Sequence, residues 1–532
     1  MRRFLYKSYS SLFIGAGLAM NIPFTASAEN TDNNAKNHKP NIIFVLADDM
    51  GWSDIGYHGG AEGFYETPNL DRLSSQGIRL DNFYPGGANS APSRSCMMTG
   101  VYNTRTKIYT PGGLAKGPDS KMRLLVPNQN ALEAQTIESL TELDPSFVSV
   151  AEMLHNAGYA SSRMGKWHLG PDKQGFDEST SDGTDTSDKP YYNDPYATDR
   201  ITAAALKYIE KNKDNAFFLY VPYFDVHTPL VAKPEIIEKY NKKWETWSDK
   251  SRKWNPKYAA KIEQVDTSVG KIYAKLQELG LDENTLFIFA SDNGGVGFIT
   301  DNSPLHGSKG NLYEGGIRTP AFAVWPKTIK AGTKSETAVS GIDLMPTFAD
   351  VAGQEISKGQ TIDGVSILPL LKGEKLKSRA LIWHYPLYLT GKDAQGWNSE
   401  KLFPVYGTTT PYWRGVPSSA IQRDGWKLIY FYETEKYELY NIANDISEKE
   451  ELSAKYPEKA KELYAELKTI LTNADADIPS TLNPKFNPNQ KEVANQKQLS
   501  KDRKQAKKAI KKEKGMKDAK AAKKPRKGKI TD

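Results

Sequence analysis

Three continuous apolar runs of strand length stand out along the chain: Asn41–Leu46, Phe217–Val221 and Thr285–Ala290. Runs of this kind read as strands buried on both faces, the habit of a parallel sheet. Tyr159–Met164 reads as a further strand. Helical spacing appears between them. Tyr258, Ile262, Val265, Val269, Ile272, Leu276 and Leu279 form one packing stripe closed by Gly280. Phe147–Ala157, ended by Gly158, and a Pro-initiated helix after Thr67 repeat the pattern. Around Glu374–Lys377 the character changes to short β-type runs (Ala380–His384, Ser419–Ile421, Trp426–Tyr432) separated by turn residues, as in an antiparallel sheet. Tyr437–Ile442 and a helix to about Thr472 close this part. The reading is an α/β unit over 39–373 and a smaller α+β subdomain over 374–480. A basic tail over 481–532, without the apolar content to form a core, is expected to be disordered.

The first residues change the compartment. Arg2, Arg3 and Lys7 precede an apolar run, Leu12–Met20, and Ala26-Ser27-Ala28 is a small-x-small cleavage site. Residues 1–28 therefore read as a signal peptide, with an apolar run too short to span a membrane. The protein is expected to be exported, periplasmic or secreted, with no transmembrane segment. The net charge of +7 conceals two parts. Residues 491–532 hold 17 Lys/Arg against 5 Asp/Glu, so the body is mildly acidic and no nucleic-acid partner is expected. The tail suits an anionic polysaccharide or lipid surface. Cys96 is the sole cysteine, which rules out an internal disulfide, and it reads as a small buried hydrophobe.

Chemistry gathers where the strands end. Asp48-Asp49 and Asp292-Asn293 each follow an apolar run, at the sheet edge where α/β folds place their sites. Two adjacent buried acids resist ionising together without a cation, although Asp is also an ordinary turn former. The four residues make an all-oxygen set suited to calcium or magnesium rather than zinc. His227 follows the second run. Lys166 and His168 alternate in Gly165-Lys-Trp-His-Leu-Gly170 and, on extended backbone, point the same way. In Ser90-Ala-Pro-Ser-Arg94, Pro92 ends a loop that becomes a helix near Ser93. Taken alone, Ser90 is open between an N-cap and an anion-site residue, with Arg94 one turn on.

Ser90-Ala-Pro-Ser-Arg94 with Thr99-Gly100 resembles the signature of the type I sulfatases, Cys/Ser-x-Pro-x-Arg followed by Thr-Gly. Asp48-Asp49, the Gly165–Gly170 run, His227-x-Pro229, and the block from Lys309 through Glu314-Gly-Gly-Ile-Arg318 resemble further segments of that family. The resemblance implies an alkaline phosphatase-like fold, a large mixed and mostly parallel sheet between helices with an antiparallel C-terminal sheet. It implies a sulfuric ester hydrolase in which Ser90 is converted to formylglycine by a serine-type maturating enzyme. Asp48, Asp49, Asp292 and Asn293 would bind calcium, Arg94, Lys166 and Lys309 would neutralise sulfate, and His168 and His227 would handle protons. Glu314 and Arg318 would hold the loop of Lys309. The aromatic-rich C-terminal part suggests sulfated polysaccharide fragments as substrate, with His384, Trp413 and Arg414 as sugar contacts or core, and His306 touching substrate or packing. A phosphodiesterase or phosphonate hydrolase, or a non-catalytic sulfoglycan-binding protein, could use the same pocket.

Overall fold

The computed structural model describes residues 39–489 apart from 113–118, 127–136, 138, 172, 182–184, 251–253, 357–358 and 391–412. The expected signal peptide and the tail beyond residue 489 lie outside the described residues.

Among the described residues, an eight-stranded sheet runs in the order Glu178–Ser179, Ala160–Arg163, Phe217–Pro222, Asn41–Ala47, Thr285–Ser291, Ala321–Val324, Ile78–Leu80, Thr333–Ser335. The first five strands are parallel, and Ala321–Val324 runs antiparallel to both its neighbours. This is the mixed, mostly parallel sheet that the resemblance implied, and the apolar runs form its parallel centre. The two-residue alternation of a strand splits Asn41–Ala47 between two cores. Ile42, Phe44 and Leu46 face the helices Val150–Asn156 and Leu344–Ala352. Ile43, Val45 and Ala47 face the helices Ala197–Asn212 and Pro256–Glu278. Full burial of an aliphatic or Phe side chain is worth about 1.5–3 kcal/mol, so the central strands, and the loops they feed, are held from both sides.

Local capping sets the helix ends. Asn255 accepts from the N–H groups of Lys257 and Tyr258, which starts the long helix at Pro256. Ser149 and Glu152 form a reciprocal capping box, so the helix expected from Phe147 begins at Val150. The helix expected near Ser93 begins three residues earlier, at Ser90. Pro92 is tolerated there because the N–H it lacks belongs to the first turn, where no intrahelical partner exists.

A four-stranded antiparallel sheet follows: Leu381–Tyr385, Ser418–Arg423, Trp426–Phe431 and Lys436–Asn441. The helix Pro457–Asn473 lays Ala460, Leu463, Leu467 and Leu471 on one face, against Ile382, Ile421, Leu428 and Leu439. Cys96 belongs to this same cluster, and burial pushes its thiol up to about 12, so it is the inert small hydrophobe expected. Trp383, Ile429 and Phe431 on the opposite face pack with Tyr84, Tyr109 and Tyr313. A buried ion network crosses the same junction. The Lys427 ammonium lies 2.9 Å from both Glu314 Oε1 and Glu448 Oε1, and Glu448 Oε2 accepts from the Glu314 N–H at 2.7 Å. Arg318 donates to Glu314, to Asn82 and to the Tyr84 hydroxyl. Glu314 and Arg318 therefore do brace the loop that follows Lys309, with a lysine from the second sheet as a third member.

Residues 481–489 differ from expectation. They do not leave the body as free tail: Leu125 donates to Thr481 O at 2.7 Å, Asn483 to Arg123 O at 2.9 Å and Asn487 to Ser120 O at 2.8 Å. These backbone bonds dock the segment despite its polar composition. Among the described residues no helix is long and apolar enough to cross a membrane.

Candidate active site

The sheet's carboxyl edge brings the sequence motifs together. Asp48 continues the Asn41–Ala47 strand, its N–H donating to Asp225 O at 3.0 Å and its carbonyl accepting from the Val226 N–H at 2.9 Å. Asp49 turns at φ +70°, a left-handed conformation that Asp tolerates better than most residues. Its N–H donates to Asp292 Oδ1 at 3.1 Å, which ties the ends of two neighbouring strands. Lys166 follows the Ala160–Arg163 strand, its N–H bonded to Pro222 O at 2.8 Å. Gly165, just before it, has φ +133°, and a Cβ there would lie 2.0 Å from the Pro222 carbonyl oxygen. Only glycine fits that approach. His168 has φ +68°, so the extended backbone expected for Lys166–His168 is not present. The Lys309 loop is tied on both sides, the Lys309 N–H to Gly295 O at 3.0 Å and the Gly310 N–H to Ala88 O at 2.9 Å.

Ser90, the first residue of the Ser90–Thr99 helix, sits at the centre. Its hydroxyl lies 3.1 Å from Asp48 Oδ1, 3.2 Å from Asn293 Oδ1 and 3.5 Å from the Lys309 ammonium. Arg94 donates to Asp292 Oδ2 through Nε at 3.0 Å and through a terminal nitrogen at 2.8 Å, and its other terminal nitrogen reaches Lys166 O at 2.9 Å. Lys166 pairs with Asp48 and Lys309 with Asp49. His227 Nε2 stands 3.7 Å from Asp49 Oδ2, while its Nδ1 bonds Thr228 O at 2.5 Å. A carbonyl can only accept, so Nδ1 carries the hydrogen and Nε2 presents a lone pair to the cluster.

Three carboxylates are thus matched by three basic side chains in a buried site. Burial alone would raise Asp48, but Lys166, His227, Arg94 and Lys309 overcome it and hold the carboxyl well below its usual range. Asp49 is lowered in the same way, burial being outweighed by Lys309 and His227. Asp292 goes the other way, to about 6, because burial and the neighbouring Asp48 charge outweigh Arg94. His227 is lowered to about 4 by burial, and His168 well below its ordinary value by burial and the Lys166 and Arg94 charges. Burial opposes the charge on Lys166, yet Asp48 raises it above the ordinary lysine value.

The donor set fits a hard divalent cation. Carboxylate oxygens of Asp48, Asp49 and Asp292 lie within 4.8 Å of one another. Asp49 Oδ2 is buried and accepts no hydrogen bond. Asn293 donates its amide N–H to Asp49 Oδ1 at 2.8 Å, which leaves its Oδ1 turned toward Ser90. All the donors are oxygen.

The four residues expected to meet a sugar separate into two pairs. The Arg414 guanidinium lies close to Gly310, the neighbour of Lys309: a Cβ at Gly310 would come within 3.2 Å of its Nε. His306 rests edge-on against Tyr313, with ring centroids 4.3 Å apart, and burial lowers it to about 4. His384 and Trp413 do not line the site. The His384 ring bonds the Ser419 hydroxyl at 2.7 Å and Asp477 O at 3.1 Å, and Trp413 donates to Lys121 O at 2.8 Å, both inside the C-terminal packing. Their polar atoms are spent on the protein itself, which corrects their assignment as sugar contacts. Tyr192 was not anticipated. Its ring meets His227 edge-on at 5.5 Å and lies 5.6 Å from the Lys166 ammonium, and no local motif announces it.

Comparison with known proteins agrees with this geometry. Residues 40–354 match the family described as Sulfatase. A sulfatase of Formosa agariphila is 29% identical over 523 residues, covering 82% of this chain and 88% of its own. Human (Homo sapiens) N-acetylgalactosamine-6-sulfatase is 30% identical over 387 residues, 65% of this chain and 68% of its own. The crystal structure of Ps i-CgsB in complex with k-i-k-neocarrahexaose is similar at a TM-score of 0.63 with 27% identity, over 84% of this chain and 95% of that one. The family match spans both acidic strand ends, the helix at Ser90 and the Lys309 loop, and it places this chain in the sulfatase family, among the hydrolases of sulfuric esters.

Proposed function

We propose that this chain hydrolyses sulfate esters on oligosaccharides derived from sulfated polysaccharides, with a formylglycine made from Ser90 as nucleophile. The observation that carries this reading is the convergence of Arg94, Lys166 and Lys309 on the Ser90 hydroxyl and its carboxylates. Similarity to Ps i-CgsB, solved with a neocarrahexaose, and to N-acetylgalactosamine-6-sulfatase supports a sulfated carbohydrate. Arg414, beside Lys309, is the first candidate for holding the sugar, with His306 three residues upstream of Lys309. The leader motif supports export to the periplasm or medium, after a serine-type maturating enzyme has acted.

Asp48, Asp49, Asp292 and Asn293 would hold calcium, in preference to magnesium, and the ion would supply Lewis-acid polarisation of a sulfuryl oxygen. Formylglycine, as its hydrate, would supply one oxygen to attack sulfur and a second hydroxyl whose deprotonation would expel sulfate. The chain's own residues do the rest. Arg94 is held as a fork by Asp292 and the Lys166 carbonyl, which fixes its direction before substrate arrives. Lys166 and Lys309 meet charge gathering on the sulfuryl oxygens, in a site where preorganised charges act strongly. His227 Nε2, neutral because its conjugate acid is lowered, is suited to accept a proton, and a bound anion raises it again so that it can give one up. His168 takes the complementary proton step.

The test is direct. Purified protein assayed on a panel of sulfated oligosaccharides and on aryl phosphate esters should turn over the sulfates first. Preference for the phosphates would favour a phosphodiesterase or phosphonate hydrolase. The mass of the peptide around Ser90, made in a host with the maturating enzyme, should be lower by two hydrogens, and an unmodified serine would favour a sulfoglycan-binding protein.

A further inference from the structure

The long helix Pro256–Glu278 carries a charge within its packing stripe. Lys261 is only 3% exposed, one position before Ile262, and its ammonium faces the loop that carries His227. All three of its directions of donation are used. It lies 3.0 Å from Asp225 Oδ1, 2.5 Å from His227 O and 3.1 Å from Pro229 O. Asp225 is itself fixed, since its Oδ2 accepts from Thr198 at 2.7 Å and from Gln264 at 3.1 Å. Asp225 O accepts the Asp48 N–H at 3.0 Å, and Val226 N–H returns to Asp48 O at 2.9 Å.

We infer that Lys261 is a positioning residue for the sulfatase reaction, acting through the main chain of His227. Its grip on the carbonyls of residues 227 and 229 brackets Thr228, whose own carbonyl takes the His227 Nδ1 hydrogen. With that carbonyl fixed, the ring keeps one tautomer and one direction, and Nε2 faces the cluster from 3.7 Å off Asp49. Burying an ammonium is costly even when it is paired, and a leucine at this position would pack without that cost. Simple neutralisation of Asp225 would need one contact, whereas two of the three go to the histidine loop. The inference rests on the role given to His227 above.

Two variants separate position from stability. Lys261→Met leaves the Asp225 carboxylate buried without its ammonium, while Lys261→Met/Asp225→Asn removes both charges together. On a small aryl sulfate the folded double variant should lose roughly tenfold or more in kcat, as expected for a displaced reacting group, with KM held within about twofold. Lys261→Arg should restore part of kcat. Nitrogen NMR of ¹⁵N-histidine protein should show wild-type His227 protonated on Nδ1, and that single tautomer should blur in the double variant. A folded double variant with wild-type kcat and tautomer overturns the inference. Should the double variant not fold, a wild-type His227 protonated on Nε2, or a Lys261→Arg variant whose tautomer is unperturbed but whose kcat matches an inactive His227→Ala control, overturns it, and the Nδ1 form with kcat retained in Lys261→Arg supports it. A wild type inactive on every sulfate ester refutes the proposed reaction instead, whereas an active wild type indifferent to Lys261 refutes the clamp alone.

Discussion

Ser90 Oγ lies 3.1 Å from Asp48 Oδ1, although the two residues stand 42 positions apart and belong to different elements, a helix start and a strand end. A hydroxyl so placed is a poor nucleophile by itself, which the proposed formylglycine and cation would remedy. Ser90→Ala is therefore expected to abolish turnover, by about 10⁴-fold or more, at nearly unchanged thermal stability. Steady-state kinetics with a melting curve checks this, and a variant retaining wild-type rates would remove Ser90 from the reaction.

Arg94 makes three hydrogen bonds with two partners, Asp292 and the Lys166 carbonyl. Lysine can supply the charge but not the fork. Arg94→Lys should lower kcat/KM by about 10²–10³-fold, the usual cost of losing one preorganised donor set. The loss should appear mainly in kcat, read from full saturation curves.

Removal of the divalent cation should act on stability as well as activity. Asp49 Oδ2 has no hydrogen-bond partner, so a cation is its natural counterpart. At a hundred to a thousand times its dissociation constant, a ligand bound only by the folded state adds about 3–4 kcal/mol. A chelator should lower the melting temperature and activity together, and calcium should restore both better than zinc. A melting curve indifferent to chelator would argue against a resident ion.

Lys427, on the second sheet, joins Glu314 and Glu448 with no solvent exposure. Lys427→Met strands two buried carboxylates and should cost about 3–5 kcal/mol in chemical unfolding. Lys427→Met/Glu448→Gln should recover part of that loss. Activity should fall in step, because Glu314 anchors the loop that follows Lys309.

Acid sensitivity should come partly from His384. Ser419 and Asp477 hold its buried ring, and burial lowers it to about 4 from an ordinary 6.5. The folded state then binds fewer protons than the unfolded chain between those values, so stability present above 6.5 is lost as pH falls toward 4. The full loss is on the order of 3 kcal/mol for this group. In His384→Gln the stability difference from wild type should shrink steadily over that window, measured by urea unfolding at several pH values.

Much of the central sheet was legible because its strands are buried on both faces, which leaves an unbroken apolar run and a sharp polar end. Asp48-Asp49, Asp292-Asn293 and His227 stand at such ends, so the neighbourhood of strands carried them to one place. His384 and Trp413 went wrong for the opposite reason: in a short strand among turn residues, an aromatic or polar side chain reads the same whether it meets a ligand or packs inside, and both are buried here. His168 escaped the alternation rule because its φ of +68° breaks the extended backbone. Tyr192 reaches the site by long-range packing that no spacing encodes. Lys261 left no trace in the sequence, where a lysine beside an apolar stripe reads as an exposed one.

Every side chain from Ser90 to Thr99 is buried, and Ser90 itself is 1% exposed. A second protein that must grip several consecutive residues finds nothing to hold once this helix has docked between sheet and C-terminal lobe. The proposed conversion of Ser90 by another enzyme would therefore have to precede closure, and a molecule that closed too early would keep its serine.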